Sequence, residues 1–159
     1  MGTPTRWSVE IATEPPLGAH LVTPRRGYSH HGIYVGDSKV VHYAGLCSSL
    51  RVCAVEELSI VDFAAGHAIW VKQERCPEYV GQDAIRRARS RLGENRYRLL
   101  TNNCEHFCSW CLFGESHSEQ VRQCIAHPYM AICTAMILVK RFLESRSKVR
   151  NKFAPESFN

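Results

Sequence analysis

The segment Tyr28-Ser29-His30-His31-Gly32-Ile33-Tyr34-Val35-Gly36-Asp37-Ser38-Lys39-Val40-Val41-His42-Tyr43 constrains the fold more than any other stretch. Its two arms are rich in Val, Ile and Tyr, and the residues between them, Gly36-Asp37-Ser38, are turn formers, so the segment predicts a β-hairpin. A three-residue loop pairs Val35 with Lys39 and sets His42 opposite Gly32. His30 and His42 then become diagonal neighbours on one sheet face. A loop one residue shorter would put them on opposite faces.

Around the hairpin the pattern predicts a strand near His20–Thr23, a Pro24-Arg25-Arg26-Gly27 turn and an irregular stretch from Cys47 to Val55. A short helix over Ser59–Ala65 and a strand over His67–Lys72 follow. Val80, Ala84, Ala88 and Leu92 recur every four residues opposite Arg86, Arg87, Arg89 and Arg91, which predicts an amphipathic helix over Tyr79–Leu92 ended by Gly93. The arginines read as its solvated face, with phosphate binding as the functional alternative.

Chemistry concentrates in Thr101-Asn102-Asn103-Cys104-Glu105-His106-Phe107-Cys108. With Asn102 as N-cap and Glu105 three residues on, the spacing is that of a capping box and places Cys104 in the first helical turn. Free N–H groups and the positive end of the helix dipole favour a thiolate there, so the expected thiol pKa is below its free value. Cys104 is therefore the candidate nucleophile, weighed against a small buried residue at a helix start. His30 and His42, either solvent-facing or structural taken alone, become candidates for proton transfer once paired with such a thiol.

These residues, His30 with His42 twelve positions on, the Gly-Asp turn between them, and Asn-Cys-Glu-His-Phe-Cys, resemble the lecithin:retinol acyltransferase-type domain, whose relatives include small thiol phospholipase A/acyltransferases. The resemblance runs from about Leu17 to Glu115, and the segment Arg86–Ser118 also resembles the family, particularly its bacterial single-domain members. It implies an α+β fold, a circularly permuted papain-like (NlpC-type) domain whose antiparallel sheet packs against helices, with a catalytic domain over 14–118 and a C-terminal apolar helix and basic tail over 119–159. It also implies Cys104 as nucleophile, His30 as general base and His42 as the polar group that supports the imidazole. His31, pointing to the other strand face and lacking the spacing to His42, is the rival to His30. Tyr28, two residues before His30 on the same face, matches a tyrosine that could stabilise an oxyanion beside the Cys104 N–H, or simply packs on the strand.

The implied function is transfer of an acyl group from a glycerophospholipid ester through an acyl-cysteine thioester to water, an amine or an alcohol. The alternatives are a papain-like cysteine peptidase or amidase, and a non-catalytic lipid-binding module. Cys104, Cys108 and Cys111 also have C-x₃-C-x₂-C spacing, which serves iron–sulfur clusters or, with His106, zinc. On a helix those three cysteines form one stripe that core packing explains equally, and no C-x₂-C pair accompanies them, so no metal and no cofactor is expected.

A chain of 159 residues, 45% hydrophobic, supports one sizeable core. Its eight cysteines follow no N-terminal apolar stretch, so a reduced, cytoplasmic setting is expected. Met1-Gly2 begins like a myristoylation site, but Arg6 stands where Ser or Thr is needed. Cys124–Val139 is apolar but short for a bilayer span and interrupted by His127 and Pro128, which reads as a buried or interfacial helix. From Lys140 to Asn159 there are six Lys and Arg against two Glu, holding most of the formal +5. Residues 124–152 thus suit an anionic membrane surface, with a solvated tail as the plainer reading. No aromatic residues interleave the basic ones, so nucleic acid is not an expected partner. The sequence fixes no oligomeric state.

Overall fold

The expected pairing of His42 with Gly32 is present, but the chain reaches it by a different turn. The structure is a computed structural model that describes residues 5–7, 14–46, 52–126, 132, 136 and 139–140. In chain order its elements are β1 (Thr5–Trp7), β2 (His20–Arg25), β3 (Tyr28–Gly36), β4 (Lys39–Leu46), β5 (Val52–Ser59), α1 (Ile60–Ala64), β6 (Ile69–Val71), α2 (Gln82–Ser90), α3 (Cys104–Phe113) and α4 (Glu119–Ala126). The β3–β4 loop has two residues, Asp37 and Ser38, with φ of 50° and 54°, and Gly36 pairs with Lys39. Two positive φ values make this the turn whose twist matches a hairpin. Tyr34 pairs with Val40, so Val35 is an extra residue, a β-bulge. The bulge restores the register that a two-residue loop alone would have shifted, and His30 and His42 stay on one face.

The fold is α+β. All pairings are antiparallel, in the strand order β1-β6-β2-β3-β4-β5. Ile33, Val41, Tyr43 and Val55 bury one face of the sheet against α2 and α3, meeting Ala84, Ile85, Phe107 and Cys108. The opposite face carries Leu21, Tyr34, Val40 and Ile69 against Phe63 and Ala64 of α1. Each Val, Leu, Ile and Phe side chain among them removed from water contributes roughly 1.5–3 kcal/mol, which is what holds the helices to the sheet. Ser59 caps α1 by accepting from the Asp62 N–H at 3.0 Å.

Several expected boundaries move. A strand, β5, occupies Val52–Ser59 where an irregular segment was expected to Val55; residues 47–51 lie outside the described part. Arg25 still pairs with Tyr28, so the β2–β3 turn is Arg26-Gly27 alone. Gly81, with φ 51° and ψ −124°, keeps α2 from starting earlier, and Val80 and Leu92 are exposed while Ala84, Ile85 and Ala88 are buried. Its arginines are largely partnered. Arg87 is sandwiched 4.1 Å from both the Tyr79 and Trp110 rings, Arg89 pairs with Glu57 at 2.9 Å, Arg91 with Glu94 at 2.6 Å, and Arg86 pairs with Asp83. Ile125, Ile132, Met136 and Val139 are exposed, and among the described residues no helix is long and apolar enough to cross a membrane. The rest of the expected apolar segment and the basic tail after Lys140 lie outside the described residues, as do residues 1–4 and 8–13.

Candidate active site

Asn103, not Asn102, caps α3. Its Oδ1 accepts from the N–H groups of Glu105 and His106, each at 3.0 Å, and the Asn103 N–H donates to His106 Nδ1 at 3.4 Å. The capping box is therefore Asn103–His106, one residue later than the Asn102–Glu105 spacing suggests, and Cys104 is the first helical residue. Asn102 is held instead by Arg96, its amide donating to that carbonyl at 2.9 Å.

Cys104 is 3% exposed. Burial pushes its thiol up to about 12, while the main-chain N–H groups of His31, Glu105 and Cys104 itself pull it down and the Glu105 carboxylate adds to the rise. This reverses the sequence expectation. The helix terminus acts in the expected direction, but loss of water outweighs it. The Sγ lies 4.0 Å from the Ser29 carbonyl.

The strand geometry explains that contact. Pro24, which has no N–H, sits opposite Ser29, so the main-chain groups of Ser29, and of His31 two residues on, face away from β2. On that side β4 has parted from β3, since their ladder has no pair beyond Gly32↔His42, and β4 continues along β5 to Leu46. The thiol occupies the edge so exposed.

His30 Nε2 and His42 Nδ1 are hydrogen-bonded at 2.7 Å, with rings 4.9 Å apart. Both pack on Phe63, at 5.3 and 5.8 Å, which places them on the α1 face. Gly32 makes room for them: a Cβ there would come within 2.5 Å of Val40 Cγ1 and 3.3 Å of His42 Cβ. Burial, then the charges of His42, Arg25 and His31, holds His30 well below the ordinary histidine range, and burial followed by Arg25 lowers His42 to about 4. Both rings are neutral at pH 7. Arg25 is fixed by the α1 carbonyls of Phe63, at 2.6 Å, and Ala64, at 3.2 Å. The Glu56 carboxylate approaches His42 Nε2 to 3.3 Å without hydrogen-bond alignment.

Thus the structure joins His30 to His42 and brings Cys104 to the main chain on either side of His30. It does not hydrogen-bond the thiol to either ring. The histidine pair and α3 lie on two faces of the sheet, with the edge of β3 between them. Tyr28 is 37% exposed, its ring edge-on to His30 at 6.4 Å. Cys108 and Cys111 are buried free thiols on α3, and among the described residues no three His, Cys, Asp or Glu side chains converge as metal ligands.

His31 faces α3, as its strand parity requires. His20 Nδ1 donates to Glu74 Oε1 at 2.7 Å, and the His20–His31 contact is 2.8 Å. Gln120 Nε2 is 3.0 Å from His31 Nε2. With neutral rings, one proton arrangement satisfies all three contacts: His31 Nδ1–H donates to His20 Nε2, and Gln120 donates to His31 Nε2. Beside this row, burial would raise Glu105, but His31, the Ser118 hydroxyl, the Gln120 N–H and Lys72 hold it at about 2. A cavity of about 370 Å³ opens here between His31, Trp70, Lys72, Glu105 and Gln120.

Sequence reasoning missed Tyr97, His20, Ser118 and Gln120. Tyr97 packs edge-on to Tyr43 at 5.1 Å and over Gly45, and burial, then proximity to Cys104, Tyr28 and Tyr43, raises its phenol. It sits in a loop with no periodicity to mark it. Gln120 sits in a helix whose sequence pattern reads only as the start of a tail.

The family model for lecithin retinol acyltransferase matches residues 13–117. The chain is 34% identical over 125 residues to phospholipase A and acyltransferase 2 of Homo sapiens, covering 67% of this chain and 76% of that protein. It is 29% identical over 133 residues to lecithin retinol acyltransferase of Rattus norvegicus, covering 67% and 58%, so it spans little more than half of that relative. Phospholipase A and acyltransferase 1 of Homo sapiens matches over 152 residues at 28% identity, covering 86% and 89%.

Proposed function

Because the chain belongs to the lecithin retinol acyltransferase family, we propose that it transfers acyl groups from glycerophospholipid esters, with Cys104 as nucleophile, His30 as general base and His42 as the group that orients His30. The observation that carries this reading is the 2.7 Å bond between His30 Nε2 and His42 Nδ1, which leaves His30 Nδ1 to take a proton, beside the strand edge that touches the Cys104 thiol.

His30 carries its proton on Nε2 and donates it to His42. Nδ1 then accepts the thiol proton as Cys104 Sγ attacks the ester carbonyl. The tetrahedral oxyanion draws on the Cys104 N–H and on the Tyr28 hydroxyl. Collapse breaks the ester C–O bond, His30 Nδ1–H protonates the departing lysophospholipid alkoxide, and acyl-Cys104 remains. Water, an amine or an alcohol attacks that thioester in the second half, with His30 taking the acceptor's proton and returning it to the thiol.

The resting thiol is protonated and lies across β3 from the imidazole, so productive contact forms around the strand edge where β4 has parted, as substrate displaces water and side chains there. Catalytic hydrogen bonds that are long in a free enzyme and tighten on its substrate are common. The exposed Ile125, Ile132, Met136 and Val139, followed by the basic tail, support an anionic lipid surface as the place of work.

Intact mass spectrometry after incubation with mixed-chain phosphatidylcholine tests the proposal. Wild type is expected to gain one fatty-acyl mass and Cys104→Ala none. Absence of an adduct with several lipids, while Cys104 still alkylates, would favour a peptidase or a binding module.

A further inference from the structure

Gln120, in the first turn of α4, reaches back to the strand that supports the thiol. Its Oε1 accepts from the Ser29 N–H at 2.9 Å, and its Nε2 donates to the Ser29 carbonyl at 3.3 Å and to His31 Nε2 at 3.0 Å. Its main-chain N–H donates to Glu105 Oε2 at 3.0 Å, and Nε2 makes a longer contact of 3.4 Å to the same oxygen. Ser118, 6% exposed, donates to that carboxylate at 2.5 Å. One side-chain amide thus offers Ser29 an acceptor and a donor, the two groups a neighbouring strand would have supplied.

Among the described residues no strand lies there, because β4 has turned away. An unpaired N–H and C=O at a central strand edge would otherwise be free to shift, and the second of these carries Cys104: Sγ is 4.0 Å from the Ser29 carbonyl, while the N–H of His31, two residues on, points to the same thiol. Glu105, the residue after Cys104, is held by the same glutamine. Gln120 therefore spans both sides of the contact, β3 and the first turn of α3.

We infer that Gln120 is a positioning residue for the nucleophile: its amide replaces the missing strand along Ser29, fixing the edge of β3 against the start of α3 at the spacing the Cys104 thiol requires. This rests on the reading of Cys104 as nucleophile. It draws the start of α4 into the working unit.

Gln120→Leu removes the amide and leaves an apolar side chain one atom shorter. The rate of acyl-Cys104 formation, normalised to titrated Cys104 thiol, is expected to fall roughly tenfold or more with KM within about twofold, because misplacement by an ångström is felt in the chemical step and not in binding. Alkylation of Cys104 by iodoacetamide, followed by peptide mass mapping, is expected to quicken several-fold, while Cys108 and Cys111 on the same helix keep their wild-type rates. Gln120→Asn, with both amide groups on a shorter arm, is expected to fall between. Equal alkylation of Cys104 in wild type and variant would overturn the inference. So would joint acceleration of all three thiols with an unchanged rate per thiol, which is general loosening. Should wild type form no acyl adduct, the functional reading fails while the alkylation comparison still decides the role of Gln120. If Gln120→Leu does not fold, Gln120→Asn and Ser118→Ala carry the same comparison.

Discussion

His30 and His42 meet at 2.7 Å across two strands whose ladder has already ended, since the last β3–β4 pair is Gly32 with His42. The side-chain bond takes over where the main-chain bonds stop. His30→Ala is expected to lower the rate of acyl-Cys104 formation about 10²–10⁴-fold, the usual worth of a positioned base. His42→Ala acts only through the orientation of His30 and should lose less. Quenched-flow mass spectrometry reads both, and equal, small losses would remove the pair from the mechanism.

Acid should destabilise the fold through its buried histidines. A free histidine titrates near 6.5, whereas burial lowers His42 to about 4 and His31 to about 3, and lowers His30 and His20 as well. The unfolded chain takes up protons first, so the stability of the neutral rings is full above about 6.5 and drains as pH falls towards 4, at up to about 1.4 kcal/mol per pH unit for each ring. Melting temperature is expected to drop between pH 7 and pH 5, and less steeply in His42→Gln, which stays neutral throughout. Parallel slopes would show that His42 is not buried as described.

Cys104, the proposed nucleophile, should be hidden in the free protein. With its thiol held near 12, Cys104 is expected to alkylate after the exposed Cys76 at pH 7.5, and its rate should still be climbing above pH 9. A plateau near pH 7 would mean that the helix terminus prevails over burial after all.

Gly32 admits no side chain. A Cβ would press on Val40 at 2.5 Å, on Phe63 at 3.0 Å and on His42 at 3.3 Å. Gly32→Ala is expected to cost about 1–3 kcal/mol by overpacking. It should also slow acylation by moving His42, so denaturant melts and acylation rates should fall together.

The hairpin turn holds two non-glycine residues at positive φ. Replacing Asp37-Ser38 by Asn-Gly, the pair this turn favours, is expected to stabilise the protein by about 0.5–1 kcal/mol without altering acylation. Urea unfolding measures the gain, and no gain would argue for a different turn.

The hairpin was legible because its composition, turn residues and histidine spacing all agree. The Val35 bulge was not, since an extra residue in a run of Tyr, Val and Gly leaves no mark on composition. Cys104 could be found from local signals at a helix start, but its burial depends on β3, some seventy residues earlier, and burial decides its protonation. β5 was hidden because Glu56 and Glu57 interrupt the apolar pattern; one approaches His42 and the other pairs with Arg89. Gln120 lies beyond 14–118, the stretch read as the catalytic domain, and no local feature of a polar helix reports a bond to a strand ninety-one residues away.

The parting of β3 and β4 makes the sheet resemble a partly opened book. One leaf holds β2 and β3 with His30, the other β4 and β5 with His42, and the hairpin turn is the spine. Cys104 stands in the opening, its Sγ 4.0 Å from the Ser29 carbonyl. On the proposed reading the proton passes through a gap that exists only because β4 leaves β3 after Gly32, so the course of one strand sets the reach of the site.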